Sequence, residues 1–264
     1  VEAAHNIARY TAEDEAAGLP DDEALERAPR DLDLFHPWNL ETDAAIEIAR
    51  RCEQAAFDVS PQIVNSEGAN VYTSSGHFVL ANTRGFVAGY PYSRHSISVA
   101  PIAKGRDGMQ RDDWYSSARV PEDLAAPEAI GAYAARRALA RLSARKLATR
   151  QCPYRKASFL VDGLGEPLFA DHVSIREDPF VPRAEGSSPF DEEGVRGVQR
   201  DVVARGVLNG YFLSSYSARK LGMKTTGNAG GAHNLELRST RTAPDDDFRA
   251  MLRKLGSGLL VTEL

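Results

Sequence analysis

Between Gln62 and Ala103 apolar and polar residues alternate with a period of two, in the runs Ile63-Val64, Asn70-Val-Tyr-Thr73, His77-Phe-Val-Leu-Ala81, Gly85-Phe-Val-Ala-Gly-Tyr90 and His95-Ser-Ile-Ser-Val-Ala100. Glu67-Gly68, Ser75-Gly76 and Thr83-Arg-Gly85 separate the runs as turn signals, which predicts an antiparallel meander of short strands. Met109 to Val120 adds a further strand around Asp112-Asp-Trp-Tyr115. On either side the period lengthens to that of a helix. Ala45, Ile46, Ile48, Ala49, Cys52, Ala55, Ala56 and Phe57 recur at helical spacing behind Thr42 or Asp43 as the capping residue. Pro127 to Leu147 puts Ile130, Ala134, Ala138 and Leu142 on one face and Arg136, Arg137, Arg141, Arg145 and Lys146 on the other. Residues 1–10 read as the end of a helix, and 11–42 as an acidic connector packed by Leu34, Phe35 and Trp38.

Beyond Pro153 strand patterns return in Phe159-Leu-Val-Asp162, Pro167-Leu-Phe-Ala170 and His172-Val-Ser-Ile175, followed by a Pro- and Gly-rich loop over 179–194. Val195 to Leu213 reads as a hairpin through Ala204-Arg-Gly206. Ser215 to Leu221 is a short helix stopped by Gly222, and Asp245 to Leu255 a capped helix ended by Gly256, with a last strand after it. Antiparallel strands with interspersed helices make the fold class α+β, with β-meander sheets and packed helices.

The 264 residues carry 32 basic and 37 acidic side chains, a net charge of −5. That balance argues against a protein whose main task is gripping nucleic acid or anionic lipid, and it makes the arginine row of 136–146 a solvated helix face. No apolar run approaches the roughly 18 residues that span a bilayer. Cys52 and Cys152 are the only cysteines, so a disulfide framework is absent and a reducing cytoplasm is expected. Cys52 falls on the apolar stripe of its helix and reads as a small buried hydrophobe.

Candidate chemistry is sparse. The six histidines are His5, His36, His77, His95, His172 and His233, with no pair at the i, i+4 spacing that brings two metal ligands onto one helix face. The nucleophile-elbow, dinucleotide and phosphate-loop patterns are absent, and Asp112-Asp113, Asp191-Glu-Glu193 and Asp245-Asp-Asp247 are adjacent acids, the first two read as loop acids and the last as a helix start. No catalytic or metal-binding residue is assigned. The exceptional stretch is Thr225-Thr-Gly-Asn-Ala-Gly-Gly-Ala-His-Asn234. Its glycines Gly227, Gly230 and Gly231 would allow close approach by another backbone, with His233 and Asn234 offering side-chain hydrogen bonds, so these five are the candidate substrate-binding residues. A tight connection onto the following strand Leu235-Glu-Leu237 explains the same glycines equally well.

Several longer words carry a resemblance: Asp31-Leu-Asp-Leu-Phe-His-Pro37, Asn65-Ser-Glu-Gly68, Ser93-Arg-His-Ser96, Tyr154-Arg-Lys-Ala-Ser-Phe-Leu160, Ser188-Pro-Phe-Asp-Glu-Glu-Gly-Val-Arg196, Ser214-Ser-Tyr-Ser-Ala-Arg-Lys-Leu-Gly222, Thr226 to Asn234, and Gly258-Leu-Leu-Val-Thr-Glu-Leu264. In order along the chain they closely resemble the bacterial TldD/PmbA family, nearer its PmbA-type (TldE-type) members. The resemblance implies a two-domain architecture, with 1–150 the rest of an N-terminal α+β domain with connector helices and 151–264 the start of a β-rich C-terminal domain. It also implies a cytoplasmic subunit of a metalloprotease that degrades or processes unfolded peptides. In TldD-type chains an HExxxH helix holds the metal. PmbA-type chains lack those ligands, so the resemblance implies no cofactor in this chain, zinc in a TldD-type partner, and a heterodimer with that partner or a homodimer. The alternatives are an autonomous metallopeptidase with ligands in unseen segments and a non-proteolytic protein modulating DNA gyrase. The family pattern also has an element near Pro153 that is missing here, a stretch before Val1 and a β-rich part after Leu264, so the chain is expected to be part of a longer protein.

Overall fold

The computed structural model describes residues 2–143, 160 and 162–258. Helix α1 spans Glu2–Ala8, α2 Thr42–Phe57, strands β1 Ile63–Ala81, β2 Val87–Gly105, β3 Gly108–Arg111 and β4 Trp114–Ala118, then helix α3 Pro127–Ala140. Strands β5 Val173–Asp178, β6 Arg200–Ala204 and β7 Val207–Leu208 follow, then α4 Ser215–Lys220, β8 Asn234–Ser239 and α5 Phe248–Leu255. The end of the predicted 127–147 helix beyond residue 143, Cys152, the join near Pro153, most of the strand predicted at 159–162 and the final run past Gly258 lie outside the described residues. The α+β class holds, with antiparallel pairing throughout the registers of β1 to β7.

Two compact units interleave along the chain. The first takes 1–155, 178–198 and 212–234, and the second takes 156–177, 199–211 and 235–264.

In the first unit the predicted meander of short strands is instead one long hairpin, β1 paired with β2 from Ile63–Ala103 to Ala81–Val87. Only Thr83-Arg-Gly85 is a turn, with Gly85 at φ 73° and the Asn82 carboxamide oxygen accepting the N–H groups of Arg84 and Phe86. Glu67-Gly68 is a bulge, marked by the register shift between Ser66 and Ala69 and by Gly68 at φ 110°. Gly76 lies within β1 against the Tyr92 ring, where a side chain would crowd the phenol. β2 also pairs with β3 and β4 along its other edge. Its inward residues are Ser93, His95, Ile97, Val99, Pro101 and Ala103, all essentially buried, which is the period of two at work.

Helices α2 and α3 lie on that inward face. Cys52 packs with Ile97, Val99, Ile130 and Ala134, and Ala56 with Ile63, Ala103, Ala135 and Ala138. Ile46, grouped by spacing with the apolar stripe, is 59% exposed, and the N-cap of α2 is Glu41 rather than Thr42 or Asp43. The two helices meet where Gly131 lies: a Cβ there would stand 2.0 Å from the Cys52 carbonyl oxygen. Burial pushes the Cys52 thiol up to about 11, as expected of an inert core cysteine.

The polar members of the β2 stripe fix the connector. Ser93 donates through its hydroxyl to the Arg119 carbonyl and accepts the His36 N–H, while its own N–H reaches the Leu34 carbonyl. His95 Nε2 lies 2.9 Å from the His36 carbonyl and Nδ1 2.8 Å from the Thr73 hydroxyl, so Nε2 carries the proton and Nδ1 accepts. Leu34 is buried beside them, whereas Phe35 is 40% exposed.

The second unit holds a four-stranded sheet of order β7-β6-β5-β8. Arg205 and Gly206, both at positive φ, make the two-residue turn between β6 and β7. Val202, Val203 and Leu208 form its core with Ile175 and Leu168 packed against them. The fully buried Glu177 carboxylate accepts from Arg200 Nε at 2.9 Å. Pro167 contributes a single bridge to Val207 rather than a strand. Asp247 caps α5 by accepting the Ala250 N–H, and Gly256 ends it at φ 59°.

The α2–α3 contact is the most demanding in this layer. Gly131→Ala is expected to lower stability by roughly 1–3 kcal/mol through overpacking, read as a reduced urea midpoint, and to speed alkylation of Cys52 in the native state. An unchanged midpoint and an unchanged Cys52 alkylation rate would contradict the packing described.

Candidate functional site

The site is built from two loops of the first unit that single buried side chains hold in place. In the loop 179–198 the sequence Pro189-Phe-Asp-Glu-Glu-Gly-Val195 turns back on itself around Asp191. Its Oδ1 accepts the N–H groups of Glu193 and Val195, and Oδ2 accepts that of Ala229 at 3.0 Å. Burial raises the Asp191 pKa above the ordinary carboxylate value, and those three N–H groups act against the shift. Gly194, at φ 82°, lies so close to the Phe86 ring that a Cβ would stand 2.8 Å from it. Glu193 accepts the Ser215 N–H at the start of α4. Asp191 and Glu193, read from sequence as loop acids, are therefore the loop's organising groups. Only the neighbouring Pro189-Phe190 and Gly194-Val195 signalled that these acids sit in a turn against apolar residues.

The glycine-rich loop 225–234 docks on that turn. The Glu192 N–H donates to the Ala229 carbonyl, so the two loops exchange backbone and side-chain hydrogen bonds around residues 191, 192 and 229. Inside the loop, Asn228 is buried, takes the Thr226 hydroxyl on its oxygen and donates to the Gly231 carbonyl. The glycines have different reasons. At Gly227 a Cβ would lie 2.4 Å from the Arg196 carbonyl oxygen, and at Gly230 it would lie 2.7 Å from Cδ of Glu192. At Gly231, φ 121°, nothing lies within 4 Å, so only its backbone conformation calls for glycine.

Together these loops and the β1–β2 hairpin line an open cavity of about 560 Å³. Phe78, Tyr90, Tyr92 and Phe190 supply its aromatic wall, with Phe190 edge-on to Tyr90 at 5.6 Å. Burial raises the Tyr90 pKa. Arg119 braces the opposite rim: Nε donates to the Ala184 carbonyl, Nη2 to those of Glu185 and Ser187, and Nη1 to that of Ser93. Burial lowers its pKa from the ordinary guanidinium value. Arg94 pairs with Glu185 at 3.2 Å.

Of the five residues singled out from sequence, Gly230, Gly231 and His233 line this cavity. Gly227 and Asn234 stand outside its lining and brace it. Asn234 accepts the Gly186 N–H on Oδ1 and donates through Nδ2 to the Asp178 carbonyl and the Ser187 hydroxyl. His233 Nδ1 sits 3.4 Å from Nδ2 of Asn228. The aromatic wall, Arg94, Arg119 and the 185–192 rim were not anticipated, since nothing local in the sequence brings 78, 119 and 190 together.

As a metal centre the described residues do not fit. Among them no group of three or more His, Cys, Asp and Glu side chains converges as donors, and the cavity's Asp191 is already taken up by backbone N–H groups. Of the described arginines in the 136–146 row, Arg136 and Arg141 are exposed as the spacing implied, and Arg137 is half-buried. Arg137 Nη2 lies 3.2 Å from Oδ1 of Asp112 and Arg141 Nη1 3.5 Å from Oδ2, with the Asp112 side chain 9% exposed. Asp112 is thus a loop acid, in the connection between β3 and β4, but a nearly buried one that pairs with α3. No helix among the described residues is long and apolar enough to cross a membrane.

Comparison with known proteins gives a consistent set of likenesses. Residues 130–264 match the PmbA/TldA metallopeptidase C-terminal domain and residues 35–142 the PmbA/TldA metallopeptidase central domain. The whole chain is 42% identical over 288 residues to Metalloprotease PmbA of Escherichia coli O157:H7 and 37% identical over 288 residues to the Metalloprotease PmbA homolog of Haemophilus influenzae, spanning 63% of the length of each. In fold it is similar to a Bacteroides thetaiotaomicron protein described as a modulator of DNA gyrase, with TM-score 0.77 at 24% identity over 88% of this chain and 59% of that one.

Asp191 is the joint between the loops. Asp191→Asn keeps one oxygen for Glu193 and Val195 but turns an amide donor toward the Ala229 N–H, an uncompensated contact worth roughly 1–3 kcal/mol. The expected outcome is faster hydrogen exchange across 228–233 with little change in β1 and β2. Uniform exchange across the whole first unit would show that Asp191 is not a local joint.

Proposed function

The chain belongs to the PmbA/TldD metallopeptidase family, and on that premise we propose that it is the PmbA-type subunit of a two-chain cytoplasmic peptidase acting on unfolded peptides. In this reading the chain holds the peptide and a TldD-type partner supplies the zinc and the catalytic base. The observation that carries it is the cavity: about 560 Å³ of space with an aromatic wall on one side and the Gly230-Gly231 backbone on the other. A volume in the range of small-ligand sites suits a few residues of extended chain, with apolar side chains against the rings and the peptide main chain along a glycine backbone that has no side chains to keep it away.

His233 and the Gly230–Ala232 backbone would line the peptide's path, while Gly227 and Asn234 would act through the position of the loop. The described donors do not make a metal centre; in this reading the metal lies with the partner, and an assembly of two copies of this chain would need ligands elsewhere.

Reconstitution tests the reading. With full-length chains, deletion of Gly230 to Ala232 is expected to lower cleavage of an unfolded peptide by at least about tenfold, or roughly 1.4 kcal/mol of transition-state stabilisation, while the two chains still co-elute. Unchanged turnover with normal assembly would remove the loop from the site. Metal analysis of each purified subunit is expected to find zinc only with the TldD-type chain, and stoichiometric zinc in this chain alone would favour an autonomous metallopeptidase.

A further inference from the structure

The charged groups lining the cavity are matched within the first unit, with one exception. Arg94 and Glu185 pair with each other. Arg119 gives N–H groups to four backbone carbonyls, and Asp191 takes three backbone N–H groups. Glu192 is exposed, and among the described residues no hydrogen bond or ion pair engages its carboxylate. The residue nevertheless lines the cavity. It lies over Gly230, where a Cβ would meet Cδ at 2.7 Å and Oε1 at 2.8 Å, so the glycine makes the space that this side chain occupies. Its neighbours in sequence do not share this state, because Glu193 accepts the Ser215 N–H as Asp191 accepts its three.

A carboxylate without a cation, opening on the same cavity as the rings of Phe78, Tyr90 and Tyr92, combines two features that recognise positive charge. One is a charge-assisted hydrogen bond and the other the negative face of an aromatic ring. Neither cavity arginine answers it, since Arg94 is neutralised by Glu185 and Arg119 is engaged by carbonyl oxygens. We propose that Glu192 and the aromatic wall form a subsite for an ammonium or guanidinium group of the bound peptide, which makes Glu192 a specificity-determining residue. The inference rests on the peptide-holding reading above and adds the charge of what is held. The same chemistry comes from a free peptide N-terminus or from a Lys or Arg side chain.

Fluorescence anisotropy with the full-length protein and its partner separates these sources. Four versions of one unstructured peptide, dye-labelled at the C-terminus, suffice: a free N-terminus without Lys or Arg, the N-acetylated form, the acetylated form with one Lys, and the acetylated form with norleucine in its place. At least one amine-bearing peptide is expected to bind about tenfold or more tightly than its neutral counterpart, and which one does so identifies the source. Glu192→Gln, at an exposed position, is expected to erase that preference and leave the neutral peptides' Kd unchanged. Equal binding of all four, or a preference that survives Glu192→Gln, overturns the subsite while leaving peptide binding intact. Failure of every peptide to bind overturns both readings.

Discussion

Three backbone N–H groups, from Glu193, Val195 and Ala229, point at one carboxylate, that of Asp191. A buried amide left without an acceptor costs about 1–3 kcal/mol, so the Asp191 side chain decides whether the turn and the glycine loop can bury themselves together. The two segments are 38 residues apart in sequence, and this bond, together with that from the Glu192 N–H to the Ala229 carbonyl, makes them one object. Glu193 extends the arrangement to α4 and Gly194 lets the turn lie against Phe86. The cavity inherits its shape from that joint, because Glu192 and Gly230 flank it on either side.

The opposite rim uses the reverse polarity. Arg119 collects carbonyls from Ser93 and from three residues of the 184–187 turn, as Asp191 collects amides. A guanidinium suits this role because its donors are fixed in a plane and it stays charged even when burial lowers its pKa. Ser93 and His95 belong to the same design. They occupy inward positions of β2 that an apolar residue could have filled, and they spend their polar atoms on the connector at Leu34 and His36. Apolar packing alone would have buried the strand without specifying where the connector lies.

These polar anchors explain what could be read in advance. The helices and the alternation of β2 follow from spacing, because burial on one face repeats with the period of the element. The length of the hairpin did not follow: Glu67-Gly68 and Ser75-Gly76 look like turns locally, and only pairing with β2 makes one a bulge and the other an interior position. The glycine-rich loop was visible as an anomaly, yet the reason for Gly227 lies in the Arg196 carbonyl, about 30 residues earlier, while Gly230 and Gly231 answer to their own positive φ. The Arg183–Asp33 pair, 150 residues apart, leaves no local trace at all. Sequence periodicity records which side of an element faces the core and carries nothing about which distant side chain waits there.

The helix α3 arginines show the same limit from the side of electrostatics. Counted along the helix they form a basic stripe, the kind of feature that invites a nucleic-acid partner. In the folded chain Arg137 and Arg141 converge on one nearly buried carboxylate, Asp112, and Arg137 also lies over the Trp114 ring at 5.2 Å. A phosphate would have to draw these guanidinium groups from a buried acid, leaving that acid unpaired, and the cost of an uncompensated buried charge exceeds the gain from an exposed contact. Arg137 and Arg141 are therefore part of how α3 is seated beside β4, and Asp112 answers their charge in part.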